Sequence, residues 1–235
     1  MKAAILGGGY VTARGFGYLN RGDIPSLDAG EPLFPPDAEV FPIPMSRSGR
    51  FDTYTRMGCC TIAMALKDAG MVGTDARRRT GIVLSTKYEC METDFKYYQT
   101  TIEGEGVFSS PNLFSYTLPN IVVGECAIYF RLVGPTFTVG ESEEDGRGIP
   151  ALQTAMLMLG NGDCDTVVAG WLDRPFDGVR DLERGLPPGG SCAVVLSTDR
   201  NHVAVRPSLD AGPWDRLSRA EKAVRSIFDL FARQG

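Results

Sequence analysis

Six cysteines and one histidine limit the chemistry open to this 235-residue chain. Cys59, Cys60, Cys90, Cys126, Cys164 and Cys192 include no Cys-x-x-Cys pair and no Cys/His spacing that would hold zinc. His202 stands alone. A zinc site built on several histidines is therefore excluded, and a Ser-His-Asp or Cys-His mechanism would have to pass through that one ring. The thiols are too sparse for a disulfide scaffold, so they are expected to be reduced, in a cytoplasmic protein. Cys59 and Cys60 fall on a helical pattern, where adjacent cysteines act as small core residues. No metal site and no cofactor is implied.

Three other clusters have chemical types. Ser142-Glu143-Glu144-Asp145 reads as a capping box, with Ser142 as N-cap, Asp145 at N3 and acids in the first turn. Ser142 as a nucleophile would need a base, and Glu144 breaks the Gly-x-Ser-x-Gly elbow of hydrolases. Gly7-Gly8-Gly9 follows an apolar strand and invites a dinucleotide reading, but Thr12 stands where Gly-x-Gly-x-x-Gly needs its third glycine. A tight turn is the expectation there. Arg77-Arg78-Arg79 reads first as a solvated charged face.

Charge excludes further classes. Lys plus Arg is 24 against 29 for Asp plus Glu, a net charge of −5, which gives no electrostatic footprint for nucleic acid or an anionic membrane. No apolar run reaches the roughly 18 residues of a spanning helix. The opening MKAAILGGGYVTARGFG reads as a strand, with no cleavage site after a proper apolar region. Hydrophobic residues at 43% and charged residues at 23% are ordinary globular usage, and residues 1–235 are read as one domain.

The elements that must position these groups alternate strand and helix, the mark of an α/β layered domain. Strands are expected at 3–6, 81–86, 136–139, 166–170 and, as a pair, 192–196 with 203–205. Helices are expected at 56–69, within 88–106, at 118–131, at 148–160 and at 217–233, the last opening on a Ser218/Glu221 capping signature. Residues 20–50 read mostly as loop, with room for one short strand. In Ile149–Leu159 only Gln153 and Thr154 are polar. A helix apolar nearly all round must be covered on both sides, either by one large core or by its own sheet on one side and a second domain or subunit on the other.

Ser110-Pro111-Asn112-Leu113-Phe114-Ser115-Tyr116-Thr117-Leu118-Pro119-Asn120, then Gly124-Glu125, Ile128-Tyr129-Phe130, Gly134-Pro135 and Thr138-Val139 resemble the β-ketoacyl synthases. In that family a Pro-x-x-Phe-x-x-x-Leu-Pro-Asn segment leads to a helix, a Gly-Pro turn and the strand entering the nucleophile elbow. Gly162 to Gly170 resembles the next strand, with Trp171 in place of a glycine, and Gly189 to Leu196 a later one. Arg56 to Met71 resembles the early helix ending in Asp-Ala-Gly. The resemblance runs over about residues 1–200. It implies a thiolase-like fold, of which this chain is the amino-terminal half.

Two departures bear on function. Counting from Val139, Glu143 stands where the family places its catalytic Cys. A thiolate at a helix N-terminus is a strong nucleophile, whereas a carboxylate is a poor acyl acceptor, so the acyl-enzyme route is expected to be lost. The family's second half, which supplies two His and a Lys, has no counterpart here, and His202 matches neither histidine. The resemblance therefore implies a non-catalytic partner or scaffold subunit in fatty-acid-like or polyketide-like biosynthesis. It would be a homodimer, or a heterodimer with a full ketosynthase, with an acyl carrier protein as a possible further partner. Arg77–Arg79 would then be a docking patch for the acidic carrier. The alternatives are an acyltransferase or decarboxylase working through Glu143 or Ser142, and an acyl-chain binding module lined by Phe108, Leu113, Phe114, Tyr116 and Phe137.

Overall fold

The computed structural model describes residues 2–72, 79–107, 109–142, 145–176, 178, 188–198, 208–210 and 226–232. In chain order the elements are β1 (Lys2–Thr12), β2 (Gly15–Tyr18), α1 (Asp37–Val40), α2 (Thr53–Asp68), β3 (Thr80–Thr86), α3 (Met91–Ile102) and α4 (Pro111–Phe114). There follow α5 (Ile121–Phe130), β4 (Thr136–Gly140), α6 (Ile149–Asn161), β5 (Thr166–Asp173), β6 (Gly190–Ser197), β7 (Ser208–Asp210) and α7 (Asp229–Ala232). The strands form one sheet in the order β2-β1-β6-β5-β3-β4, with β7 paired to β1.

β3 runs parallel to β4 and to β5, and β6 runs antiparallel to β5 and β1. Strands β3 and β6 are buried along their whole length, as their continuous apolar reading requires. Alternating side chains split the core into two. Ile82, Leu84, Val168 and Leu172 face α2 and α5, while Val83, Val167, Ala169 and Trp171 face α6 and α7.

β1 departs from expectation. It does not end at Leu6 but continues through all three glycines to Thr12, so there is no phosphate-binding turn. The glycines serve packing instead: a Cβ on Gly9 would lie 2.6 Å from Met64 Cβ, and one on Gly7 2.5 Å from the Ala69 nitrogen. Their absent side chains let α2 lie directly on β1. Asp68 completes that join by accepting hydrogen bonds from the Gly8 and Asn20 backbone nitrogens at 2.9 and 3.0 Å. Helix α2 begins one turn earlier than its apolar spacing suggests, because Asp52 caps it, accepting from the Thr55 nitrogen at 2.8 Å. Cys59 and Cys60 are buried on this helix.

Helix α6 is covered largely by its own chain. Ala151, Leu152, Ala155, Met156, Met158 and Leu159 are buried, and only Leu157 among its large apolar residues is exposed, at 57%. The sheet covers one side. Ile227, Leu230 and Phe231 close the other: Phe228 meets Trp171 edge to face at 5.4 Å, and the Ile227 nitrogen donates to the Arg147 carbonyl at 2.7 Å. The single-core alternative is thus the one observed for most of this helix.

Two further expectations are adjusted, and others lie largely outside the described residues. No strand lies within 20–50, where only an isolated bridge joins Asp28 to Gly189. Residues 203–205, His202 and most of 217–233, with Ser218 and Glu221, lie outside the described residues, and the strand that pairs with β1 there is β7. The Ser142/Asp145 signature does not cap a helix. The Ser142 nitrogen and hydroxyl both donate to Asp145 Oδ2, at 2.8 and 2.9 Å, but α6 starts only at Ile149, with Gly148 as its N-cap.

Candidate functional site

Strands β3, β4 and β5 run parallel and end on the same side of the sheet, the place where open α/β sheets gather their polar groups. Each ends on a side chain able to do acid–base or hydrogen-bond chemistry: Ser85 and Thr86 on β3, Glu141 just beyond β4, and Asp173 on β5. Ser85 and Thr86 are successive, so they point to opposite faces and engage different carboxyls. The Ser85 hydroxyl donates to Glu141 Oε1 at 2.5 Å, and the Thr86 hydroxyl donates to Asp173 Oδ1 at 2.8 Å.

Glu141 is tied to the start of the central helix. Its Oε1 also accepts from the Gly148 nitrogen at 2.5 Å, while its own backbone nitrogen donates to the Thr86 carbonyl at 2.9 Å. Burial pushes its carboxyl up to about 7, against the two bonds that favour the anion, and the nearby Asp173 and Asp145 push the same way. Asp173 is buried at 3% exposure and accepts from the Lys87 and Tyr88 nitrogens at 2.8 and 2.9 Å and from the Trp171 indole at 2.8 Å. Burial raises its pKa, opposed by those donors. Its role is to pin the β3–α3 turn on the sheet end. Glu141 is the group with a proton to gain or lose near neutrality.

Beside this sheet end, on the α2 side, lies a cleft of about 330 Å³ between the start of α2, the β3–α3 turn, α3 and α4. Tyr54, Cys90, Thr93, Leu113, Tyr116 and Arg174 are among its lining residues. A second hollow of about 250 Å³ shares Arg50, Asn112 and Tyr116 with it and adds Arg47 and Glu125. Glu92 is held by Lys96 at 2.6 Å and by Arg174 at 3.3 Å, and Arg47 by Glu125 at 3.2 Å. The Cys90 thiol is pushed up to about 12, mainly by burial and then by Asp94. A thiol raised in this way carries little thiolate near neutral pH. The other five cysteines are also buried and unbridged, and burial holds Cys60 near 12 and Cys192 well above the usual thiol range.

The residues singled out from sequence fare unequally. Glu143 and Glu144 lie outside the described residues, as do Arg77, Arg78 and Phe108. Ser142 is exposed and spends its hydroxyl on Asp145. Arg79 is engaged within the chain, donating to the Gly162 carbonyl at 2.8 Å and reaching Asp165 at 3.4 Å. The acyl-tunnel set is divided by the sheet: Leu113 and Tyr116 line the cleft, Phe114 is exposed, and Phe137 packs on the α6 side. Glu141, Ser85 and Asp173 were not singled out, although each is the polar residue that closes an apolar strand. Among the described residues no cluster of three His, Cys, Asp or Glu could hold a metal ion, and no helix is long and apolar enough to cross a membrane.

The family model for the β-ketoacyl synthase N-terminal domain matches residues 27–177, more than half of the chain. This chain belongs to the β-ketoacyl synthase N-terminal domain family. A search of curated proteins finds no match. Among solved structures, the ketosynthase-like chain is similar to the ishigamide ketosynthase/chain length factor, with a TM-score of 0.65 at 18% identity over 88% of this chain and 64% of that one. A β-ketoacyl synthase from Burkholderia phymatum STM815 gives 0.56 at 18% identity, over 83% and 59%. A type II PKS acyl-carrier protein complex with its ketosynthase gives 0.59 at 17%, over 86% and 64%. At these identities the likeness establishes the fold, the amino-terminal half of a thiolase-like ketosynthase. The ketosynthase-like chain spans less than two thirds of these neighbours.

Proposed function

We propose that this ketosynthase-like chain is a non-catalytic partner subunit of a complete ketosynthase in fatty-acid-like or polyketide-like biosynthesis. The observation that carries the reading is the chemistry at the carboxyl end of β4. There a half-buried carboxyl, Glu141, takes the N–H of the α6 N-cap, and all six cysteines are buried, Cys90 against the wall of the cleft. On the family resemblance, Glu143 stands at the nucleophile position two residues further on. A carboxylate does not accept an acyl group from a thioester under conditions where a thiolate does. One solved neighbour is itself a ketosynthase/chain length factor, which supports a paired role.

The surface suits such a partner. Among the described residues β4 is the last strand of the sheet, with no strand paired on its outer side, and such an edge is a template for another chain. Helices α5 and α6 flank it, and they expose Ile128 at 74% and Leu157 at 57%. A ketosynthase homodimer or heterodimer formed here would cover both. With Ile128→Glu, co-purification with a complete ketosynthase should be lost while the thermal midpoint stays unchanged; retention of the complex would refute this edge as the docking site.

The decisive experiment is acyl loading. Incubated with labelled acyl carrier protein, the chain should carry no label after denaturation, while a complete ketosynthase beside it does. Stable labelling of this chain would end the reading. For an acidic carrier protein, Arg50 is the better docking cation than Arg79: it is exposed at the shared rim of the two clefts, whereas Arg79 is engaged internally. Arg50→Glu is expected to weaken carrier binding by about three- to tenfold at low salt and less at high salt.

One observation favours a second reading, a decarboxylase or acyltransferase. Burial raises the Glu141 carboxyl to about 7, in the range a general acid or base uses, and Ser85 and the Gly148 nitrogen hold it at the sheet end. This reading moves the chemical role from Glu143 or Ser142 to Glu141. It predicts carbon dioxide release from malonyl carrier protein that is lost in Glu141→Gln; no release from the unmodified chain would eliminate it.

A further inference from the structure

The cleft beside the sheet end contains two charges that nothing in the chain answers. Of its charged lining residues, Glu92, Lys96 and Arg174 are joined in ion pairs, and Asp52 takes the Thr55 nitrogen and the Thr93 hydroxyl. Arg50 and Glu89 remain. Among the described residues neither side chain has an ion pair or a hydrogen bond, and although both line the cleft they do not reach each other.

Different elements set their places. Arg50 ends the turn before α2, at the part of the cleft shared with the second hollow, beside Asn112 and Tyr116. Glu89 sits on the β3–α3 turn, which Asp173 pins through the Lys87 and Tyr88 nitrogens. Its backbone lies in the left-handed region, at φ 51°, and its nitrogen donates to Thr86 Oγ1 at 2.9 Å. A carboxylate is thus kept where a glycine would sit more easily, and strain of this kind collects at ligand sites.

A third group in the cleft also lacks a partner. Tyr54 is 3% exposed, and among the described residues its hydroxyl is satisfied by no hydrogen bond. Its neighbour Thr86 gives its proton to Asp173 and takes one from the Glu89 nitrogen. A buried phenol left over in this way calls for a polar ligand atom. Burial keeps it protonated, and the Asp173 and Glu89 carboxyls beside it push the same way, which makes this end of the cleft favourable to a cation. Phe51, Leu113 and Tyr116 add an apolar wall, with Phe51 and Tyr116 edge to face at 6.0 Å. At about 330 Å³ the cleft has room for one molecule of amino-acid size.

We propose that this cleft binds a small zwitterion with an apolar body, its ammonium group at the Glu89 and Tyr54 end and its carboxylate on Arg50. The ligand class is that of the amino acids. The inference goes beyond the partner reading. It shares Arg50 with carrier docking, so Glu89 is the residue that separates the two.

Calorimetric titration of the full chain tests it with two zwitterions, L-phenylalanine and δ-aminovalerate, and with hydrocinnamate and phenethylamine, which each lack one charge. At least one zwitterion should bind at millimolar concentration or below, and the singly charged molecules at least about tenfold more weakly. The zwitterion that binds tells whether the ligand carries its charges on one carbon or apart. Glu89→Gln should weaken that zwitterion by about tenfold and leave hydrocinnamate unchanged. Glu89→Gly relaxes the left-handed backbone, so it should lose the ligand with a thermal midpoint no lower than that of the unmodified chain. Failure of both zwitterions to bind at millimolar concentration, hydrocinnamate bound as tightly as L-phenylalanine and δ-aminovalerate, or undiminished binding by Glu89→Gln overturns the proposal. The two readings fail separately. A chain that binds a complete ketosynthase but no zwitterion removes only this site; one that takes a zwitterion through Glu89 and ignores every ketosynthase removes only the partner reading.

Discussion

Stability should fall as pH rises from about 4.5 to 7, and Glu141→Gln should flatten much of that fall. The folded carboxyl titrates at about 7 against an ordinary value of 4.5. Below 4.5 both folded and unfolded chains hold the proton, so there is no difference. Between the two values the folded chain keeps a proton that the unfolded chain has released, and stability drops with each unit of pH. Above 7 both are ionised and the slope ends. A fully buried group would contribute about 1.4 kcal/mol per unit. Glu141 retains partial solvent contact, so the whole fall should be about 1–2 kcal/mol, or about 3–6 °C in thermal midpoint for a chain of this size. Glutamine keeps an acceptor for Ser85 and Gly148 but cannot titrate. Asp173 and Asp94, also raised by burial, leave a smaller slope of the same sign. An unchanged slope in Glu141→Gln would show that the carboxyl is not held as the geometry indicates.

A second large effect should follow from one methyl group. Gly9→Ala places a Cβ 2.6 Å from Met64 Cβ and 2.9 Å from the Ala65 nitrogen, so it meets the backbone of α2 and not merely the end of a flexible side chain. The helix must lift or the strand must bend, and because α2 packs on β1, β5 and β6 the displacement spreads through the core. Overpacking of this kind costs about 1–3 kcal/mol and more where backbone is involved. We expect about 3 kcal/mol, a large part of a typical domain's net stability, read as a lower denaturant midpoint at unchanged slope. The sign belongs to the site. Gly124, on α5, has open space around it, and Gly124→Ala should stabilise by about 0.5–1 kcal/mol. If Gly9→Ala proves neutral, the close approach of β1 and α2 is wrong.

These two positions show how far local pattern reaches. The strand at β1 was legible as an apolar run, but three glycines within it read locally as a turn. Glycine is permissive in any conformation, and its use as packing space is visible only when the helix that needs the space is in place. For Ser142 and Asp145 the local reading was half right. The side chain of Asp145 does accept the Ser142 nitrogen, yet the helix begins four residues beyond Asp145, because its start is set by Gly148, the Glu141 carboxyl and the packing of Ile227. Sequence placed interest on Glu143, from its alignment with the family cysteine. The chemistry that can be described rests on Glu141, whose partners Ser85 and Gly148 are 56 and 7 residues away.

The sequence by itself determined the α/β class, most of the helices and strands of the first two thirds of the chain, and the family. Each of these is carried by local periodicity or by contiguous motifs, which survive without knowledge of the third dimension. It also determined that thiol, zinc and histidine-relay chemistry have little to work with. Only the tertiary structure decided that α6 is sheathed mainly by its own chain, that the glycines seat a helix, and that a proton near neutrality resides on Glu141. Burial and charge proximity arise between residues far apart in sequence, and they depend on which strand ends the sheet brings side by side.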